Sequence, residues 1–233
     1  MRIRAGRIVL QIGMLAPTGW YQDFRKLKAL PDSLKYRNLD VPGHAQLTAE
    51  GLQIRVQKPD RVQPGRGIGI ETTFGLRGDF EITATFEDFK GETPLSGTGV
   101  GFGLCIAPME EGEGAQIARL VRSKDQGILW SGRSGTANGR LTPSTDNAAR
   151  FRFKRTGATL YSMWSPGTRG DDFKILDQSE LGTNDIRSVW VNVFTGGQSL
   201  DVEGRLIEWR IRGRVESNPV HDRSKSPAKG PPD

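Results

Sequence analysis

The stretch Asp79-Phe-Glu-Ile-Thr-Ala-Thr-Phe86 decides the fold class. Phe80, Ile82, Ala84 and Phe86 fall on one side of an extended chain, and Asp79, Glu81, Thr83 and Thr85 on the other, because successive strand side chains point to opposite faces. The reading is a strand with one buried face. The same period returns elsewhere along the chain. Leu52-Gln-Ile-Arg-Val56 alternates apolar and polar residues. Val100–Ile106 sets Phe102, Leu104 and Ile106 against Gly101, Gly103 and Cys105, and Ala149–Thr156 interleaves Phe151 and Phe153 with Arg150, Arg152 and Lys154. Val189–Thr195 and Leu200–Arg212 read as further strands, and glycine, proline and serine turns lie between the runs. The pattern predicts about eleven short strands joined by hairpin-sized turns. The helical period is confined to Gln22–Leu30, stopped by Pro31. Sequential antiparallel pairing and two-layer burial follow, so the expected fold is all-β: a two-sheet antiparallel β-sandwich of jelly-roll type.

Composition narrows the function classes. The chain has 233 residues, 1 cysteine and 2 histidines, which excludes an internal disulfide framework and any cysteine-built zinc site. No metal site and no cofactor are expected. No apolar run is long enough for a membrane span. The net charge is +6, but Arg2, Arg4 and Arg7 and the charges of 217–233 supply most of it. The body is nearly balanced, and no nucleic-acid partner is expected. The local clusters Arg150, Arg152, Lys154, Arg155 and Arg210, Arg212, Arg214 read as a solvated strand face, with a phosphate- or sulfate-binding strip as the sharper alternative.

The ends differ from the body. A basic start followed by apolar Ile8–Ala16 has the order of a secretory signal, broken by Gln11, Gly13 and Pro17. The alternative for residues 1–17 is a first strand or a junction within a longer polypeptide. An extracytoplasmic location is the corresponding expectation. Residues 18–216 read as one jelly-roll domain, and 217–233, proline-rich and nearly without apolar residues, as a disordered tail. His221 lies in that tail, and His44 in a Pro-Gly-His turn reads as a solvated loop residue.

Gly75-Leu-Arg-Gly-Asp-Phe-Glu-Ile-Thr-Ala-Thr-Phe-Glu87 resembles the "G-D-F-E-I-x-x-x-F" strand of concanavalin A-like (laminin-G-like) lectin and glucanase sandwiches. Arg150–Tyr161 is similar to that family's "L-x-R-x-G-x-x-L-x-x-Y" hairpin, and Leu200–Arg212 to its closing strand. Tyr21-Gln-Asp-Phe-Arg25 and Glu50-Gly-Leu-Gln-Ile54 resemble the opening of a subfamily of domains of unknown function found mostly in planctomycete bacteria. The resemblance implies the fold and is nearly silent on function. Gly204 departs from it, standing where a continuous strand would carry a side chain, and the calcium-binding acids of many laminin-G-like domains are not recognisable.

Against the glucanase branch, which carries Glu-x-Asp-x-x-Glu on one strand, only Asp79 and Glu81 share a face here. A retaining pair needs two carboxyls facing one cleft, so no catalytic residue is assigned. Cys105, mid-strand and remote from both histidines, reads as a buried structural thiol. Glu110–Glu113 reads as a solvated loop. Carbohydrate binding is the sharpest surviving reading, because sugars stack their apolar faces on exposed aromatic rings. Trp130 and Trp164 are the candidate platforms, Tyr161 lies close to Trp164, and Glu81 and Arg122 are the candidate polar contacts; Arg119 is weighed beside them. Trp190 and Trp209, within dense apolar strands, read as core. The expected function is a non-catalytic module that recognises a polysaccharide, a glycan or a cell-surface partner. The alternatives are a structural or interaction module with a protein partner, and a glycoside hydrolase or lyase on the same fold.

Overall fold

The computed structural model describes residues 19–38, 43–60, 67–109, 114–132 and 141–217. The expected N-terminal segment 1–17, the tail beyond Ser217 with His221, and Glu110–Glu113 lie outside them.

Two antiparallel layers form the sandwich. The front layer runs, neighbour to neighbour, through Thr142–Pro143 (β10), Gln126–Ser131 (β9), Ala115–Val121 (β8), Val100–Pro108 (β7), Ile186–Phe194 (β14), Ile68–Thr72 (β5) and Leu34–Arg37 (β2). The back layer runs through Lys174–Glu180 (β13), Thr159–Pro166 (β12), Ala149–Thr156 (β11), Phe74–Gly91 (β6) and Val202–Ser217 (β15). Beyond β15, Gly51–Val56 (β4) pairs with Val202–Leu206 and Gly19–Asp23 (β1) with Glu208–Arg212, while Ala45–Thr48 (β3) lies outside β4. The layers join at one end, where Ile186 pairs with Leu76.

The alternation over 79–86 is realised: Phe80, Ile82, Ala84 and Phe86 are buried in the core between the layers. Phe86 stacks on Phe102 of the front layer at 4.6 Å between ring centroids and tilts against Phe151 at 4.9 Å. Gly204 now has a reason. A Cβ there would lie 2.4 Å from Phe102 Cδ2, so the Phe102 ring occupies the place of the missing side chain.

Several expectations change. The described residues form fifteen strands, because edge strands that lack an apolar period are recruited by pairing; β6 and β15 are also longer than their apolar period, at 18 and 16 residues. The helix expected over 22–30 is β1 followed by a single 3-10 turn, Phe24–Lys26, whose start is capped by Asp23 accepting from the Arg25 N–H at 3.1 Å. Trp20 and Gln22 pair with Ile211 and Trp209, and this tertiary pairing overrides the local period. His44 is buried, with Nε2 2.9 Å from Asp60 Oδ2, so it is no solvated loop residue. Beyond Trp130 along the chain, Thr142–Pro143 pairs with β9, and the buried Arg119 donates to the Asp146 carbonyl at 2.8 Å. Arg155, expected on the basic face, is buried and donates to the carbonyls of Gly78 and Asn184. Burial pushes both guanidiniums down from the ordinary arginine range.

Candidate functional site

The front layer carries a trough on the face turned away from the core. On β14, Val189, Val191 and Val193 enter the core, which sends Trp190, Asn192 and Phe194 to the outer face. Register fixes their neighbours. One cross-strand row reads Glu71–Trp190–Cys105–Gln116–Ser131, the next Gly69–Asn192–Gly103–Ala118–Leu129, and the third Phe194–Gly101–Leu120–Gly127. Rows on one face lie roughly 7 Å apart along the strands. The middle row is built mostly from small residues, so it is low between two taller ones.

The low row is a cavity of about 390 Å³ lined by Trp190, Asn192, Phe194, Gln116, Leu120 and Arg122 among others. The amides of Gln116 and Asn192 converge over Gly103, where a Cβ would lie 2.7 Å from Gln116 Nε2 and 3.2 Å from Asn192 Oδ1. The Phe194 ring covers Gly101 in the same way, 2.5 Å from where a Cβ would stand. The glycine alternation of 101 and 103 thus makes room for side chains that reach in from neighbouring strands.

Arg37 lies over Trp190, with its guanidinium carbon 4.4 Å from the ring centroid and Nη1 2.6 Å from Glu71 Oε2. Glu71 is the one carboxylate in these rows among the described residues, and it also has Lys35 at 3.9 Å. Cys105 sits buried on the floor, and burial pushes its thiol up, away from the reactive thiolate. The trough offers aromatic faces for stacking and two convergent amides that can both donate and accept hydrogen bonds. No group of three or more histidine, cysteine, aspartate or glutamate side chains gathers as a metal site among the described residues.

The residues singled out from sequence are not brought together. Arg122 lines the trough, with Asp125 3.5 Å from its Nε. Trp130 shares the inward parity of Ile128 and packs half-buried against the core. Trp164 is 5% exposed and belongs to the core, so it offers no ring to solvent. Arg119 holds backbone carbonyls. Tyr161 and Glu81 lie on the outer face of the back layer, where Glu81 pairs with Arg212 at 3.1 Å and Arg152 at 3.8 Å. Asp79, on the same strand, accepts from the Gly157 N–H at 2.8 Å. Trp209 is core as expected, but Trp190 is a wall of the trough. The signal for it was the alternation of Val189, Val191 and Val193 with Trp190, Asn192 and Phe194.

The fold is shared with solved structures of a lectin, a lichenase and a phage module. A basic winged bean lectin solved with Tn-antigen is 11% identical over 83% of this chain and 98% of its own, with a TM-score of 0.56. A lichenase from a mouse hindgut metagenome is 8% identical over 84% of this chain and 99% of its own, with a TM-score of 0.53. The CBM2 module of the evolved Dit of Lactobacillus casei BL23 phage J-1 is 10% identical over 84% and 96%, with a TM-score of 0.51. At these identities the likeness shows the concanavalin A-like jelly roll alone. No curated protein sequence matches the chain. The sequence match is to the family described as Protein of unknown function (DUF1583) C domain, over residues 15–214, and the chain belongs to this family.

Proposed function

We propose that this domain is a non-catalytic recognition module that binds carbohydrate in the front-layer trough. The observation that carries the reading is the pairing of two aromatic walls, Trp190 and Phe194, with the amides of Gln116 and Asn192 converging between them over Gly103. Sugar C–H faces stack on the rings, and the amides take hydroxyls as both donor and acceptor. The lectin and the Dit module above carry the same fold, which supports a binding role. The lichenase supports hydrolysis equally, but a retaining or inverting pair needs two facing carboxyls. Glu71 is alone in the rows and engaged by Arg37.

The test is depletion of the protein by a panel of insoluble and soluble neutral polysaccharides, with reducing ends assayed in the same tubes. Depletion without new reducing ends, weakened roughly tenfold by Trp190→Ala or Phe194→Ala, is the expected result. New reducing ends that vanish in Glu71→Gln would replace this reading with hydrolysis. Neither signal across the panel would replace it with docking of a protein partner.

A further inference from the structure

The outer face of the back layer gathers two basic runs that are far apart in sequence. β6 lies between β11 and β15, and its register builds cross-strand rows: Lys154, Glu81 and Arg212 in one, Arg152, Thr83 and Arg210 in the next. Cations on one strand are spaced roughly 7 Å apart, and the two basic strands lie roughly 10 Å apart across β6. Three carboxylates serve this field. Glu208, in the next row with Thr85 and Arg150, accepts from Thr85 Oγ1 at 3.3 Å and from the Tyr21 hydroxyl at 3.2 Å. Glu81 is shared by Arg152 and Arg212, and Asp171 by Arg150 at 3.3 Å and Arg152 at 3.1 Å. Lys154 and Arg210 have no ion-pair partner among the described residues; Arg210 rests on the Tyr21 ring at 5.0 Å.

The two halves of the Asp171 contact are unequally held. Both guanidiniums lie over the Phe173 ring, at 4.7 Å for Arg150 and 3.7 Å for Arg152, and Arg152 Nε donates to Thr83 Oγ1 at 3.0 Å. The Asp171 side chain is 81% exposed, in the connection between β12 and β13. The seat is fixed, and the carboxylate in it is the free end.

We propose that this face is a second binding surface whose partner is a polyuronate chain, with ligand carboxylates taking the seat between Arg150 and Arg152 that Asp171 fills in the free protein. Two guanidiniums already meet one carboxylate oxygen here, and the arginine fork matches carboxylate geometry. Evenly spaced cations along a strand suit a charge repeated along a linear chain rather than a single small anion. This face is the middle of a sheet, β12–β11–β6–β15, rather than a helix or two-stranded ribbon of the kind that enters a nucleic-acid groove. The surface lies on the layer opposite the trough, so the two sites can be tested separately.

The experiment uses the full chain in affinity electrophoresis against polygalacturonate, its fully methyl-esterified form, dextran sulfate and duplex DNA, at low and moderate salt. Retardation by polygalacturonate that weakens with salt and is absent with the ester is expected. Lys154→Ala and Arg210→Ala each weaken it roughly twofold to fivefold, and Asp171→Asn tightens it by a similar factor, the scale of one exposed ion pair. Trp190→Ala leaves it unchanged. Equal retardation by the ester overturns the proposal, as does no gain in Asp171→Asn at an unchanged melting temperature. Stronger retardation by dextran sulfate or DNA overturns the polyuronate assignment, and loss in Trp190→Ala moves the binding to the trough.

Discussion

Arg37 rests on Trp190, its guanidinium carbon 4.4 Å from the ring centroid, while Glu71 on the neighbouring strand holds the same guanidinium at 2.6 Å. The ring that walls the trough is therefore fixed by an ion pair between two strands of its own sheet. Arg37→Ala leaves Glu71, buried and with Lys35 at 3.9 Å, short of its main partner. The expected cost is about 1–3 kcal/mol in urea denaturation. Arg37→Ala with Glu71→Gln recovers part of it, which a double-mutant cycle reads out.

Two neighbouring glycines separate binding from stability. A Cβ at Gly103 meets amide tips that can rotate away, so Gly103→Ala weakens oligosaccharide binding while the unfolding midpoint stays nearly constant. A Cβ at Gly101 meets the Phe194 ring and, 2.7 Å away, the Arg119 carbonyl. Backbone cannot yield so cheaply, and Gly101→Ala costs about 1–3 kcal/mol. Calorimetric titration and thermal melts of the two variants side by side check the contrast.

Gly204→Ala drives a methyl into the Phe102 ring and destabilises the sandwich by about 1–3 kcal/mol. Phe102→Leu in the same chain vacates the space. The double variant is then less destabilised than the sum of the single changes; simple additivity would show that the two residues do not press on each other.

Cys105 reports on the trough floor. Burial raises its pKa and leaves almost no thiolate at neutral pH. Iodoacetamide labelling at neutral pH is expected on the order of a hundredfold slower than for a free thiol, and full labelling follows denaturation. Rapid labelling of the native protein would show that the floor is open.

Asp23 contributes to the acid limb of stability. The hydrogen bond from the Arg25 side chain, with the capping N–H, holds its carboxyl below the ordinary aspartate value of 3.8. A lowered folded pKa stabilises in full above that ordinary value, and the contribution is lost as pH falls through the folded one. Asp23→Asn therefore flattens the fall in stability below about pH 4 and lowers stability at neutral pH. Denaturation curves from pH 7 to pH 2.5 measure both, and an unchanged acid limb would remove Asp23 from it.

Much of the fold was legible because half-buried strands announce themselves. Asp79–Phe86 needed only its own period of two. The edge strands β2, β3 and β10 did not, since their formation depends on a partner already in place. The site was harder for a related reason. Trp130 and Trp164 close strands next to polar segments, which invites an exposed reading, but parity with Ile128 and Leu160 turns them inward. Trp190 sits among valines, which hides it, although the same parity turns it outward. Position within the alternation, not neighbourhood composition, decides which ring meets solvent. Which loops rim the trough depends on chain closure between distant strands, and no local pattern records that.

The trough's floor and walls are consecutive rows of one hydrogen-bonded sheet whose opposite face is the core. The residues of those rows lie almost entirely in paired strands. The amide protons of Trp190, Asn192 and Phe194 should exchange only when the whole sandwich opens, and loss of ligand capture on heating should coincide with global melting. Recognition and folding then share one cooperative transition, so a substitution in the distant back layer that halves the folded population halves the number of competent receptors without altering the affinity of those that remain.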